Sequence, residues 1–265
     1  MFEYIIYFSI SFFATTIGAI SGIGGGIIIK PLLDFISVQT IDVINFLSGC
    51  TVLSMAVVSV LSNRKSKIKL NLKTSSLLAA GAIFGGFLGQ FLFDTAGNIL
   101  YENDLKTLQS TLLIVIMLFV FIFILIKPRL KIQTKKPIIS NVALTFIIGA
   151  ILGIISSFLG IGGGPFNVII LNLLFAMDTK TSVKNSIFII LFAQVSSLIT
   201  VIANNAVPNF EPILLLLMIT GGICGGILGN VFSHKIRNKQ VDFIFKCVIV
   251  LIIILSFINL LELRK

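Results

Sequence analysis

The stretches Ser21-Gly22-Ile23-Gly24-Gly25-Gly26 and Leu159-Gly160-Ile161-Gly162-Gly163-Gly164-Pro165 decide the fold, because each interrupts a long apolar segment. Glycine lowers helix stability by about 1 kcal/mol relative to alanine, so three in succession break a helix that enters them. In lipid, unpaired backbone groups at a break are costly, and breaks persist only where protein or a water-filled cavity covers them. The sequence therefore predicts a functional cavity at these two places.

The composition is that of an integral membrane protein. Of the 265 residues, 57% are hydrophobic and 11% charged, and the mean hydropathy is +1.11. Apolar runs long enough to cross a bilayer recur along the chain, which predicts one membrane domain over residues 1–265. The formal charge of +10 comes from Lys and Arg in short loops, which indicates contact with lipid headgroups rather than nucleic acid.

Two of the eight apolar segments are too long for one crossing. Residues 138–177 would span about 60 Å as one helix, against a hydrocarbon core of about 30 Å. Basic loops at 64–73, 127–136 and 235–239 mark the cytoplasmic side. This alternation holds only if each broken segment returns to its own side, either as two crossings or as a re-entrant hairpin. The C-terminus is then expected outside.

The chain also contains an internal repeat. The run Gly22-Ile-Gly-Gly-Gly recurs from Gly160, and the small-residue run from Gly81 recurs from Gly221. The glycines spaced by four in the later run lie along one helix face, which favours close helix packing. We expect an all-α polytopic membrane protein with two inverted repeats of four to five segments each, the first segment of each half being broken. Repeat 1 covers about 1–127, a cytoplasmic linker about 127–137 and repeat 2 about 138–265. Inverted repeats with broken helices are typical of secondary transporters.

The doubled Gly-Ile-Gly-Gly-Gly motif, the small-residue repeat and the basic central loop resemble the sulfite exporter TauE/SafE family. The likeness extends over nearly the whole chain. It implies a multi-pass permease of the bacterial or archaeal inner membrane for sulfur-containing anions such as sulfite or organosulfonates. Members of this family are assigned to both export and uptake, so the resemblance implies neither direction.

Each break is a candidate anion site, because a helix that starts there presents free N–H groups and a partial positive charge. Consecutive glycines also let a ligand approach the backbone closely. The other interpretation is that these glycines only permit close helix crossing. Polar side chains near the breaks, Ser157 among them, could orient the ligand. Asn45 and Asn185 stand out, since they match at the same offset as Gly81 and Gly221. The candidate substrate-binding residues are Gly24, Gly25, Gly26, Gly162, Gly163, Gly164, Ser21, Asn45, Ser48, Asn167, Asn185 and Ser186.

Charged residues inside apolar segments are functional candidates by default. Lys30 could hold an anion, or it could instead snorkel or pair with Asp34. Lys184 could draw anions toward a cytoplasmic vestibule. Asp94 is interpreted as an interfacial residue rather than a proton relay, and Gln194 ranks below the candidates above.

The leading hypothesis is a secondary permease that binds its anion at the opposed breaks and works by alternating access. An anion channel of the same fold and a membrane scaffold subunit are the alternatives. The sequence contains no nucleotide-binding loop or metal-ligand cluster, so we expect no enzyme, cofactor or metal. A proton or sodium ion is the expected coupling partner if transport runs uphill, and a homodimer is left open.

Overall fold

The computed structural model describes residues 2–36, 39–63, 71–126, 137–139 and 141–263. These residues fold into α-helices joined by short connections. In chain order the helices are α1 Phe2–Ser21, α2 Gly26–Ile36, α3 Ile41–Asn63, α4 Leu72–Ile99, α5 Glu102–Ile126, α6 Val142–Phe158, α7 Pro165–Leu174, α8 Thr179–Ala203, α9 Pro212–Lys235 and α10 Asn238–Glu262. The predicted all-α fold class is confirmed.

Seven helices in the described part of the chain are long and apolar enough to cross a membrane. They are α1, α3, α4, α5, α8, α9 and α10, and α6, with 17 residues, falls just short of that length. Many large apolar side chains of these helices lie exposed on the outside of the bundle, where lipid would cover them. The protein is therefore a multi-pass membrane protein.

Both long apolar segments are broken where the glycine motifs lie, as predicted. Helix α1 has 20 residues and α2 has 11, which correspond to lengths of about 30 Å and about 16 Å. Helix α6 has 17 residues and α7 has 10. Each broken segment is therefore one long helix followed by a short one, and the order long, short, long, long, long occurs twice along the chain.

The two sets of five helices are interlocked. Helix α4 packs along α6, and α9 packs in the same way along α1. Glycines make this close approach necessary, since a Cβ on Gly85 would lie 2.7 Å from the carbonyl carbon of Ala150. A Cβ on Gly229 would lie 2.5 Å from the carbonyl oxygen of Thr16. The glycines spaced by four therefore serve helix packing, as their spacing predicts.

The basic stretches used to assign sidedness lie mostly outside the described residues. Residues 64–70 and 127–136 lie outside the described residues, and so does the C-terminal residue Lys265. The predicted cytoplasmic linker, the inverted orientation of the two halves and the external C-terminus therefore stay predictions.

Candidate substrate-binding cavity

A cavity of about 440 Å³ lies among α3, α4, α6 and α8. It opens where α3 begins and where α4 and α8 end, which is the side predicted to face outward. Its inner part is lined by Gly160, the first glycine of the second break, and by the neighbouring Ser156 and Ser157 of α6. The volume suits a small molecule, since ligand pockets usually enclose about 300–1,000 Å³.

Neutral polar side chains line the inner part of this cavity. Asn45 of α3 lies directly against the second break, because a Cβ on Gly160 would lie 2.5 Å from the Asn45 side-chain carbonyl carbon. Gln194 of α8 reaches the same break, with its Oε1 atom 2.9 Å from where a Gly162 Cβ would be. Asn45 Oδ1 is buried and has no hydrogen-bond partner among the described residues. The spare hydrogen-bonding capacity shown at the second break is therefore that of an acceptor, the Asn45 amide oxygen.

The outer part of the cavity is acidic. Asp94 of α4 and Asp42 of α3 both line it, and no Lys, Arg or His is among its described lining residues. Gln90 Nε2 donates a hydrogen bond of 2.9 Å to Asp94 Oδ1. Ser197 Oγ donates in turn to Gln90 Oε1, also at 2.9 Å. A chain of hydrogen bonds thus joins Asp94 to α8.

The two breaks meet in the interior of the protein, as the sequence predicts. A Cβ on Gly26 would overlap the carbonyl group of Ile161, and one on Gly24 would lie 3.7 Å from the carbonyl oxygen of Gly162. All four of these residues are buried. The close approach is possible because Gly24 and Gly26 carry no side chain where they meet the backbone of the second break.

Backbone conformation shows that the two breaks begin in the same way. Gly22 and Gly160 have φ values of 74° and 64°, and Gly24 and Gly162 have 74° and 67°. These are left-handed conformations that other residues rarely adopt. The start of the turn therefore recurs in both halves of the chain, whereas Gly163 has a φ of 129° and its counterpart Gly25 has no positive φ.

Free amides remain at the start of α2. None of the N–H groups of Gly24, Gly25 and Gly26 donates a hydrogen bond to another described residue. The Ser48 hydroxyl is fully buried, lacks a partner in the described part of the chain and points at this helix start, 3.0 Å from where a Gly26 Cβ would lie. This N-terminus has the donors that the anion hypothesis requires, although the cavity does not reach it in this conformation.

Three predicted residues at the start of α8 lie near the first break and away from the cavity. Ser186 Oγ donates to the carbonyl oxygen of Gly22 at 2.5 Å. Asn185 accepts from the Ser75 hydroxyl and donates to the Thr181 carbonyl oxygen at 2.6 Å. Lys184 is buried next to them. Of the predicted polar side chains, Asn45 and Ser157 are among the described lining residues of the cavity, and so is the lower-ranked Gln194.

The predicted pairing of Asn45 with Asn185 needs a correction of register. Asn45 packs against Gly160, whereas Gly22 packs against Val183, with a Cβ on Gly22 only 2.6 Å from the Val183 Cα. The offset from Asn45 to Val183 is the one that relates Gly22 to Gly160, so Val183 is the counterpart of Asn45 at the breaks. Two residues of helix turn a side chain by about 200°, and Asn185 therefore faces α4 instead.

Of two further predicted residues, one forms a hydrogen bond within its own helix and the other is buried away from the cavity. Ser21 Oγ donates to the Ile17 carbonyl oxygen at 2.6 Å, within its own helix. Asn167 of α7 is buried, and its Oδ1 atom has no partner in the described part of the chain. Neither side chain reaches the cavity.

Lys30 of α2 binds the backbone at the start of the second break, on the side away from the cavity. Its Nζ atom donates to the Leu159 carbonyl oxygen at 2.8 Å and to Gln109 Oε1 at 2.5 Å. Gln109 Nε2 donates to the Phe158 carbonyl oxygen at 2.5 Å. A cation at a helix C-terminus is favourable, so Lys30 caps the end of α6. It forms no ion pair with Asp34 among the described residues, and it does not line the cavity.

Sequence reasoning misses part of the cavity lining. Gln90 and Ser156 are not among the predicted residues, and Gln194 ranks low there, yet all three line the cavity. The available signal is a glutamine in the middle of an apolar helix, which costs free energy unless it meets a polar partner. That signal does not say whether the partner is a neighbouring helix or a ligand.

Interlocked apolar helices, two broken segments that meet inside and a polar cavity beside them define a polytopic membrane protein of the transporter class. The chain belongs to the TauE/SafE sulfite exporter family, whose model matches residues 7–256. It is similar to the probable membrane transporter protein YunE of Bacillus subtilis (strain 168). The two are 25% identical over 274 residues, which cover 94% of this chain and 96% of the relative. No solved structure matches.

Proposed function

We propose that this protein is a secondary permease for small sulfur-containing anions, such as sulfite or organosulfonates, in the cell membrane. The anion binds in the cavity against the second break, where amide and hydroxyl donors of Asn45, Gln194, Ser156 and Ser157 reach its oxygens. Membership of the TauE/SafE family supports the transporter class and the sulfur-anion chemistry.

The observation that carries the proposal is the contact between a polar cavity and a pair of broken helices. Ser156, Ser157 and Gln194 are only 3%, 5% and 7% exposed, although each lines the cavity. A polar group buried in a membrane protein needs a partner, and a bound oxyanion supplies several acceptor atoms at once. Neutral donors can hold an anion that must also be released, because they stabilise it less than a paired cation would.

Alternating access accounts for the candidate residues at the first break, which the cavity does not reach in this conformation. The cavity opens on the predicted outer side, while Gly24, Gly25, Gly26 and Ser48 are sealed beneath the second break. In the proposed cycle these groups become accessible when the α4–α6 pair and the α1–α9 pair rock relative to each other and the inner side opens. The near-equivalence of the two breaks supports such a cycle, because inverted repeats exchange conformations during transport.

Binding is the first test. The purified protein is mixed with sulfite, thiosulfate, taurine or sulfoacetate, and an increase in thermal stability reports binding. Asn45→Leu and Gln194→Leu should each weaken binding of the active compound by at least about tenfold, since a lost hydrogen bond to a charged group costs about 1.5–3 kcal/mol. Asn103→Leu is the matched control, because Asn103 is exposed and does not line the cavity.

Transport by a carrier is tested by counterflow in proteoliposomes. Unlabelled substrate inside should accelerate entry of labelled substrate, because a carrier returns faster when it is loaded. An anion channel of the same fold would show conductance without this exchange, and that result would contradict alternating access. No stabilisation of the wild-type protein by any compound in the panel would contradict the proposed substrate class.

A further inference from the structure

A second, much smaller cavity lies between α2, α5 and α10, and its described lining shares no residue with that of the substrate cavity. Its volume is about 10 Å³, which is at the lower limit of the space that one water molecule needs. Lys30 and Asp34 line it from α2, and Ser256 and Asn259 line it from α10. Each pair is about one helical turn apart and so shares a helix face. Four polar side chains therefore meet around a space the size of one water.

Three atoms of this lining have spare hydrogen-bonding capacity. Asp34 Oδ1, Ser256 Oγ and Asn259 Oδ1 are buried and have no hydrogen-bond partner among the described residues. Ser256 and Asn259 are only 1% and 5% exposed as whole residues. The Asn259 side chain is held in place by its other amide atom, since Nδ2 donates to the Pro31 carbonyl oxygen at 2.9 Å. Buried polar atoms without a partner are costly, so these three indicate a bound polar molecule.

The lining also contains two donors. Ser256 differs from Ser21 and Thr51, whose hydroxyls donate to the carbonyl oxygen four residues earlier in their own helices. Because the Ser256 hydroxyl makes no such bond, it can donate into the cavity. The Lys30 ammonium group has three donors, of which Leu159 and Gln109 accept two, and one N–H remains. Two donors therefore face two acceptors, Asp34 Oδ1 and Asn259 Oδ1.

We propose that this small cavity binds one water molecule, which bridges Lys30 to Asp34 and is held by Ser256 and Asn259. The water accepts from Lys30 Nζ and Ser256 Oγ, and it donates to Asp34 Oδ1 and Asn259 Oδ1. A buried water makes up to four hydrogen bonds, so it satisfies all four groups at once. Lys30 and Asp34 form no direct ion pair in the described part of the chain, and groups held apart in this way are commonly joined by water.

A sodium ion suits this lining less well than water. Sodium binds oxygen atoms, whereas Lys30 presents an N–H group to the same space. The ion would also place a second positive charge beside the ammonium group, inside an apolar segment where charge is costly. The lining therefore fits a neutral ligand that both donates and accepts.

The bound water fastens the short helix of the first break to its neighbours. It joins Lys30 and Asp34 of α2 to α10, where Asn259 already bonds the Pro31 carbonyl oxygen. Lys30 also bonds Gln109, so α2, α5 and α10 form one hydrogen-bonded unit. This inference does not depend on the proposed function, because it concerns how the first break is held and not what the substrate cavity binds.

The direct test is a density map of the full-length protein at a resolution that shows ordered waters, recorded once in sodium chloride and once in potassium chloride. We expect one peak in both maps, about 2.7–3.2 Å from Lys30 Nζ, Ser256 Oγ, Asn259 Oδ1 and Asp34 Oδ1. Maps without a peak at this position would overturn the inference. A peak that is present in sodium and absent in potassium would also overturn it, because the ligand would then be the ion.

A double-mutant cycle tests the bridge in solution by thermal unfolding in detergent. Asp34→Ala and Ser256→Ala should each lower the unfolding temperature, and the double variant should lower it by clearly less than the sum, because one bridge is lost only once. Ser59→Ala is the matched control, since Ser59 is fully buried in α3 and bonds Met55 Sδ of its own helix. Its effect should add to that of Asp34→Ala. Equal additivity of the Asp34 and Ser256 variants would contradict a shared water.

Discussion

The ammonium group of Lys30 lies 2.8 Å from the carbonyl oxygen of Leu159, so a side chain of the first broken segment holds the backbone of the second. Both residues are buried, and Gln109 of α5 accepts from Lys30 and donates to the carbonyl oxygen of Phe158, the residue before Leu159. The relative position of the two breaks is thereby fixed by hydrogen bonds as well as by glycine contacts.

Replacing Lys30 with methionine should destabilise the protein by about 1–3 kcal/mol, because Leu159 and Gln109 each lose a partner in a buried setting. The measurement is thermal unfolding in detergent. Lys106→Met is the control, since the partly exposed ion pair of Lys106 with Glu102 is worth at most about 1 kcal/mol. If Lys30→Met left stability unchanged but abolished anion binding, Lys30 would be a ligand rather than a helix cap.

The α4–α6 contact should not tolerate a side chain at Gly85. Gly85→Val would press against the backbone of Ala150 and is expected to cost about 1–3 kcal/mol or more through overpacking. Gly97→Ala lies in the same helix, where a Cβ meets only Leu105 Cδ2 at 3.8 Å. That control should be neutral or stabilising by up to about 1 kcal/mol. Equal unfolding temperatures for the two variants would contradict close packing of α4 on α6.

Alanine substitutions at Gly22 and Gly24 distinguish backbone strain from steric overlap with a neighbouring helix. Both Gly22 and Gly24 have φ of 74°, which costs an L-residue about 1–2 kcal/mol. At Gly22 the new Cβ would also collide with the Val183 backbone, whereas at Gly24 it would lie 3.4 Å from Ile190 Cδ1. Gly22→Ala should therefore lower thermal stability clearly more than Gly24→Ala. The reverse order would show that Gly22 is not held against α8.

Sidedness can be tested by labelling with a membrane-impermeant thiol reagent in intact cells. The background replaces Cys50, Cys224 and Cys247 with alanine. In that background, Ser157→Cys should react from outside because Ser157 lines the cavity. Ser186→Cys should stay unlabelled, since Ser186 is fully buried and bonded to Gly22. Labelling of Ser157→Cys only after the membrane is opened, and not in intact cells, would place the cavity mouth on the cytoplasmic side.

The features that could be predicted from sequence are those that local chemistry decides. Consecutive glycines end helices wherever they occur, so the breaks at 21–26 and 159–165 could be located from the sequence alone. Glycines four residues apart lie on one helix face, so the contacts of Gly85 and Gly229 could also be foreseen.

The lining of the cavity could not be predicted in the same way. Gln90, Ser156 and Gln194 face the cavity because of how α4, α6 and α8 cross, and crossing is a tertiary property that spacing alone does not fix. The predicted register of Asn185 is wrong for a similar reason. The offset between the two breaks is two positions shorter than the offset between the later glycine runs, and such a change reverses the face that a helical residue presents.

The interlocking of α4 with α6 and of α9 with α1 decides which bodies can move. Backbones in contact through glycine leave no room for sliding, so each of these pairs must travel as a unit. Each unit takes one helix from either half of the sequence. A rocking motion would consequently separate two composite bodies, and neither repeat expressed alone would contain a complete moving part.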